Sequence, residues 1–166
     1  MRPILATTTL LLACGALPAR AQHQHPARPA EAGAAVQRTI EALFHAVEQK
    51  DLAALDTLYA GERLTVIEGA GINRGWADYR DHHLAPEMEE FAEFRYRPAN
   101  IEVELHGNLA WAIFRYTLQA KMGERTLDMV GRGTAVLEQR GERWVIRHTH
   151  TSNRARRPSD PTGMPQ

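Results

Sequence analysis

The stretch Trp144-Val-Ile-Arg-His-Thr-His-Thr-Ser152 alternates like a β-strand. Successive strand side chains point to opposite sides, so Trp144, Ile146, His148, His150 and Ser152 are expected on one face. An apolar floor then ends in two imidazoles and a hydroxyl. That composition predicts a strand lining a partly wet pocket, because buried histidines need hydrogen-bond partners.

The segments just upstream alternate in the same way. Residues 94–106, 109–122, 125–139 and 143–152 read as four long strands, separated by Gly107-Asn108, Gly123-Glu124 and Arg140-Gly141-Glu142. Such short connections join antiparallel neighbours. Before them the period changes. Over 35–49, Val36, Ile40, Leu43, Phe44 and Val47 recur at helical spacing and predict an amphipathic helix. Asp51 reads as the N-cap of a short second helix that turns Leu52, Leu55, Leu58 and Tyr59 inward and ends near Gly61. Residues 64–68 form a short strand closed by the Gly69-Ala-Gly71 turn. Gly75 opens a third helix over 76–91, with Trp76, Tyr79 and His83 on one face, and Pro86 must kink or split it. Helices first and a meander after them is an α+β pattern. The expected architecture is a curved antiparallel sheet of four long strands plus a short one, packed on three N-terminal helices to form a cone with an internal pocket.

Residues 1–21 read as an export signal: Arg2, an apolar run, then Ala19-Arg20-Ala21 as a cleavage site, so that the mature chain begins at Gln22 in the periplasm or outside the cell. A competing reading takes Leu11-Leu-Ala-Cys14 as a lipoprotein box that would tether the domain to a membrane. The apolar run is shorter than the roughly 20 residues of a membrane span. Residues 22–34, with His23, His25 and two prolines, read as a disordered linker, and 153–166 as a disordered basic, Pro-rich tail. One domain over 35–152 remains. Cys14 is the only cysteine, so the mature domain has neither disulfide nor thiolate chemistry. With Arg2 and Arg20 removed, 18 basic residues face 20 acidic ones, a net charge of minus two that attracts neither nucleic acid nor anionic lipid.

The chain resembles the SnoaL-like branch of the nuclear-transport-factor-2-like superfamily. The resemblance rests on Lys50-Asp-Leu-Ala-Ala-Leu-Asp-Thr-Leu-Tyr59 followed by Leu64-Thr-Val-Ile-Glu68, on Gly75-Trp76 with Tyr79-Arg-Asp-His-His-Leu84, and on Gly131-Arg-Gly-Thr-Ala-Val136 with Trp144 to Ser152. It implies a cone around a pocket, and it implies no single activity, since one superfold hosts enzymes, binding modules and assembly domains. Ketosteroid isomerases share the fold. There an acidic residue after the first strand abstracts a proton while a tyrosine and a protonated aspartic acid stabilise the enolate. Glu68 matches the base, but Leu43 stands at the tyrosine's position and the aspartic acid's counterpart falls near Arg132. That departure argues against steroid isomerase activity, because preorganised donors supply much of the acceleration.

For the pocket, the expected ligand contacts are Trp76, Tyr79, His83, Arg132, Thr134, His148, His150 and Ser152. His148 and His150, two apart on a strand, with His83 opposite, fit a three-histidine metal site, a hydrogen-bonding pocket wall or a satisfied core. No metal or other cofactor is expected. Arg132 suits a ligand carboxylate or phosphate, or an internal salt bridge with Glu68 or Asp128. Glu68, if desolvated, is a general base, and His150 an alternative one. The leading reading is an exported domain binding a small organic molecule, with an acid/base isomerase or cyclase using Glu68 or His150 as the alternative. A third reading is a dimerisation module, in which Val145, Arg147, Thr149 and Thr151 on the convex face pair two subunits.

Overall fold

The computed structural model describes residues 29–160. The readings of the export signal, of Cys14, and of His23 and His25 lie outside the described residues. Helix α1 spans Pro29–Glu48 and buries Val36, Ile40, Leu43, Phe44 and Val47, the stripe its periodicity announces. It begins at Pro29, inside the stretch expected to be linker, because its alanine-rich first turns are good helix formers. Lys50, at φ 57°, ends the helix in the left-handed region. Asp51 then caps α2 (Leu52–Leu58), its carboxylate accepting the Ala54 amide at 2.9 Å.

Strands β1 (Thr65–Glu68) and β2 (Gly71–Arg74) form a short hairpin, of which the second arm has no clear signature in the sequence. The helical run that follows is one path in three pieces: α3 (Trp76–Tyr79), a π-helical turn at Arg80–Leu84, and α4 (Ala85–Glu90). The helical path is divided just before Pro86, which stands in the first turn of α4. Its missing N–H and its ring disturb the preceding turn, and the chain answers with a wider one, in which the Ala85 amide bonds to the Arg80 carbonyl.

Four long strands complete the domain: β3 (Phe91–His106), β4 (Leu109–Met122), β5 (Arg125–Arg140) and β6 (Arg143–Ala155). The six-stranded, unclosed sheet runs β2-β1-β6-β5-β4-β3, with β1 parallel to β6 and every other pairing antiparallel. Helix α1 lies against its concave side. Phe44, 1% exposed, meets the rings of Tyr96, Phe114 and Tyr116 at 4.3, 5.4 and 5.9 Å, and burying such a side chain stabilises by about 1.5–3 kcal/mol.

Strand β6 departs from the expected alternation. Ile146 stands opposite Leu137, but the next pair is His148 with Val136, so Arg147 is an extra residue on one strand, a β-bulge. Two neighbours hold it there. The Arg147 guanidinium meets Glu138 at 3.3 Å and the Arg63 carbonyl at 3.3 Å, while Arg63 also pairs with Glu138. One inserted residue reverses every later side chain. Trp144 and Ile146 remain in the core, but beyond the bulge Thr149 and Thr151 are buried and His150 is exposed. Thr149 and Thr151 thus lie on the inner side and not on the convex face expected from alternation, and Val145, expected on that face too, is buried. The strand also continues past Ser152 to Ala155, and Arg154 makes a two-pronged pair with Asp160 at 2.6 and 2.7 Å, so 153–160 are structured where a disordered tail was expected.

Candidate functional site

Between α1, the α3–α4 run and the concave sheet lies a cavity of about 530 Å³. Leu43, Phe44, Val47, Met88, Phe91 and Phe94 make an apolar wall. Glu68, Tyr79, His83 and Glu87 form its most polar part. Each arrives by a different route: Glu68 ends β1, Tyr79 closes α3, His83 sits in the π-helical turn, and Glu87 follows His83 by four residues, hence on the same helical face.

The central contact is His83 Nε2 to Glu68 Oε2 at 3.0 Å, with Glu87 Oε1 at 3.4 Å from the same nitrogen. The Tyr79 hydroxyl donates to the other Glu68 oxygen at 3.3 Å. On its far side His83 Nδ1 lies 3.0 Å from Asn73 Oδ1. The orientation of Asn73 settles which nitrogen carries a proton. Its amide nitrogen donates to Asp78 at 3.1 Å, and that bond first, then the Arg74 amide, holds the Asp78 carboxyl below its ordinary value, so Asp78 is an acceptor only. Asn73 therefore turns its carbonyl to His83, and Nδ1–H donates to it. Nε2 then faces two carboxylates, an arrangement that is favourable only with a proton on it. The hydrogen bond to Glu68 raises the His83 pKa above its ordinary value, against the opposing effect of burial. Burial pushes the Glu87 carboxyl up. Burial also raises the Tyr79 phenol well above 10, with the Glu68 charge adding to it, so Tyr79 stays a neutral donor.

A second polar group lies on β4 and β6. The Tyr116 hydroxyl accepts from Asn153 Nδ2 at 3.3 Å and reaches the Ser152 carbonyl at 3.5 Å. Thr149 and Thr151 add hydroxyls on the same wall.

Of the expected site residues, the fold brings the side chains of Glu68, Tyr79 and His83 to the cavity, whereas Ser152 reaches it only through its backbone carbonyl and shares the outer face with Arg132. Trp76 stands behind it, stacked on Tyr59 with ring centres 4.8 Å apart and its indole N–H donating to Asp56. Arg132, Thr134, His148 and His150 are absent from the cavity lining. Thr134 pairs with His150 and Val136 with His148 across β5 and β6, and with Arg132 they form one cluster on the outer face of the sheet. The bulge at Arg147 accounts for the histidines; on β5, Leu127, Met129, Gly133, Ala135 and Leu137 take the inner positions and leave Arg132 and Thr134 outside. A three-histidine metal set of His83, His148 and His150 is therefore not assembled. Among the described residues, Glu68, His83 and Glu87 bring donor atoms within 4.8 Å of one another, and these would be the ligands of a cation. Glu87 was legible in principle from its spacing to His83; Thr149, Thr151 and Asn73 were not, since a bulge and an unsigned strand place them.

A SnoaL-like domain model matches residues 36–155. The chain belongs to the SnoaL-like domain family. This SnoaL-like domain finds no match among the curated proteins. Solved structures share its fold. A nuclear transport factor 2-like superfamily protein from Salmonella enterica serovar Typhimurium superposes with a TM-score of 0.69 at 19% identity, covering 81% of this chain and 98% of that one. LinA gives 0.66 at 16% identity over 82% of this chain and 96% of its own. The hexachlorocyclohexane dehydrochlorinase LinA-type3 from Novosphingobium barchaimii gives 0.64 at 13% identity over 75% and 87%. The expected cone of helices on a curved sheet is thus the fold of this SnoaL-like domain.

Proposed function

We propose that this SnoaL-like domain binds a small, largely apolar organic molecule in the cavity and moves a proton on it, with Glu68 as base and His83 as the proton-bearing partner. One observation carries the reading: a carboxylate and an imidazole 3.0 Å apart at the polar end of an apolar cavity, with the imidazole's other nitrogen bound by Asn73. Glu68 would take a proton from a carbon next to a carbonyl, and the electron pair would pass into an enolate. The Nε2–H of His83 would offset the developing charge or return the proton. The isomerase donors are still missing: Leu43 lines the cavity with an apolar side chain and Arg132 lies outside it. The Tyr79 and Tyr116 hydroxyls are the donors this cavity offers instead. One protein of this fold, LinA-type3, is named a hexachlorocyclohexane dehydrochlorinase, and removal of HCl from a substrate takes a hydrogen from carbon.

The test is exchange of carbon-bound hydrogen for deuterium from heavy water, followed by NMR across a panel of linear and cyclic ketones. Glu68→Gln should bind the same ketone and lose exchange by about 10²-fold or more. Binding without exchange in the unaltered protein would leave a binding domain and remove the enzyme reading. Export belongs to the same proposal, and the mature chain should then begin at Gln22.

A second reading concerns the outer sheet face. Trp111 and Ile113, 40% and 39% exposed on β4, are large apolar side chains left open to solvent there. We propose that two copies pair through this face.

A further inference from the structure

The sheet's outer face also carries a groove of about 680 Å³. Four arginines line it, and they differ in their company. Arg154 is held by Asp160, and Arg156 meets Asp128 at 2.9 Å. Arg115 and Arg132 stand directly opposite each other on β4 and β5, and the guanidinium of neither makes a hydrogen bond or ion pair with any described residue. Like charges directly opposite across two strands repel. Glu102, a carboxylate of the same groove, stands opposite Ile113 and pairs with neither arginine.

Polar groups extend the pair in both directions. Ser152 is the partner of Arg132 on β6. Ala99 is the partner of Arg115 on β3, and Asn100, at φ 50° in the bulge that follows, lines the groove beside it. A row of Asn100, Arg115, Arg132 and Ser152 thus crosses four strands, and it offers hydrogen-bond donors with no internal acceptor for its two charges. Ile113 and Val130 flank the arginines with apolar surface.

We propose that this row is an oxyanion site, separate from the inner cavity, that takes the carboxylate or phosphate group of a small molecule. Two guanidiniums facing one another can each present a fork of N–H donors to such a group, and a bound anion turns their repulsion into attraction. The Ser152 hydroxyl and the Asn100 amide are placed to complete the donor set, and Val130 would accept an apolar portion.

Titration of the full chain with inorganic phosphate, with citrate and with chloride at matched ionic strength tests the proposal, read by calorimetry and by thermal midpoint. Phosphate or citrate should bind and raise the midpoint above that in chloride, and the stronger of the two arms names the oxyanion class. Arg132→Gln should weaken that binding by about tenfold or more, as loss of a charge-assisted hydrogen bond does. In chloride the same variant should be at least as stable as the unaltered protein, because it removes the repulsion; Arg143→Gln serves as control and should change neither. Equal effects of all three salts, equal anion affinity in Arg132→Gln, or a lower midpoint of that variant in chloride would each overturn the proposal. So would dissociation of a dimer by Arg132→Gln with anion affinity intact, since a second copy would then be the partner of the pair.

Discussion

His83 meets three groups at once: Asn73 on one nitrogen, Glu68 and Glu87 on the other. Its pKa is raised by folding, chiefly through the hydrogen bond to Glu68. A raised value means that the folded state holds the proton more tightly than the unfolded one. The stabilisation is complete below the unfolded value of about 6.5 and is lost as pH climbs through the higher folded value. Glu87 is raised by burial and has the same sign in a lower window, its effect setting in above the ordinary carboxylate range. Urea midpoints of the unaltered protein should therefore fall as pH rises from about 6.5 into the alkaline range. His83→Gln should flatten that upper window and widen the lower one, because Glu87 loses the His83 charge and hydrogen bond that hold its carboxyl down. If both proteins show the same slope above pH 6.5, His83 is not held as its contacts require.

The elements were legible to different degrees. The stripe from Val36 to Val47 and the Asp51 cap each depend on residues within a turn or two, and local rules read them correctly. The β6 bulge depends on Glu138 and on the Arg63 carbonyl, far apart in sequence, and alternation alone therefore assigned His148 and His150 to the inner face. Strand β5 shows another device that patterning misses. Gly131 lies under the Tyr116 ring, so near that a Cβ there would fall 2.2 Å from Cζ, and Gly133 lies under Phe114 in the same way. The glycines let two aromatic rings lie flat on the sheet, and Tyr116 in turn carries the contacts to Asn153 and Ser152. Gly131→Ala should destabilise the domain by about 1–3 kcal/mol through overpacking, measured by urea unfolding. In a double-mutant cycle with Tyr116→Leu the two changes should couple, and simple additivity would show that the ring is not the obstacle.

On the scale of the whole molecule, the sheet has two distinct faces. The inner one, closed by α1 and the α3–α4 run, encloses the cavity; the outer one bears the arginine row, the two histidines of β6 and the exposed Trp111. If two copies pair through the outer face, Trp111→Glu should halve the mass measured by light scattering and leave the fold intact by circular dichroism. A monomer in the unaltered protein at high concentration would sink that reading. The α+β class, the order of helices before strands, the three long hairpins and a shared helical face for Tyr79 and His83 were all determined by the sequence alone, whereas the surroundings of Glu68 were not. Their signals are periodicity, caps and turn residues, which act over a few neighbours. Only the tertiary structure decided which face of β5 and β6 looks inward, that Glu87 and Asn73 join His83, and that Arg115 meets Arg132. Strand register and bulges are set by contacts between residues distant in the chain, and a shift of one position exchanges the contents of the two faces.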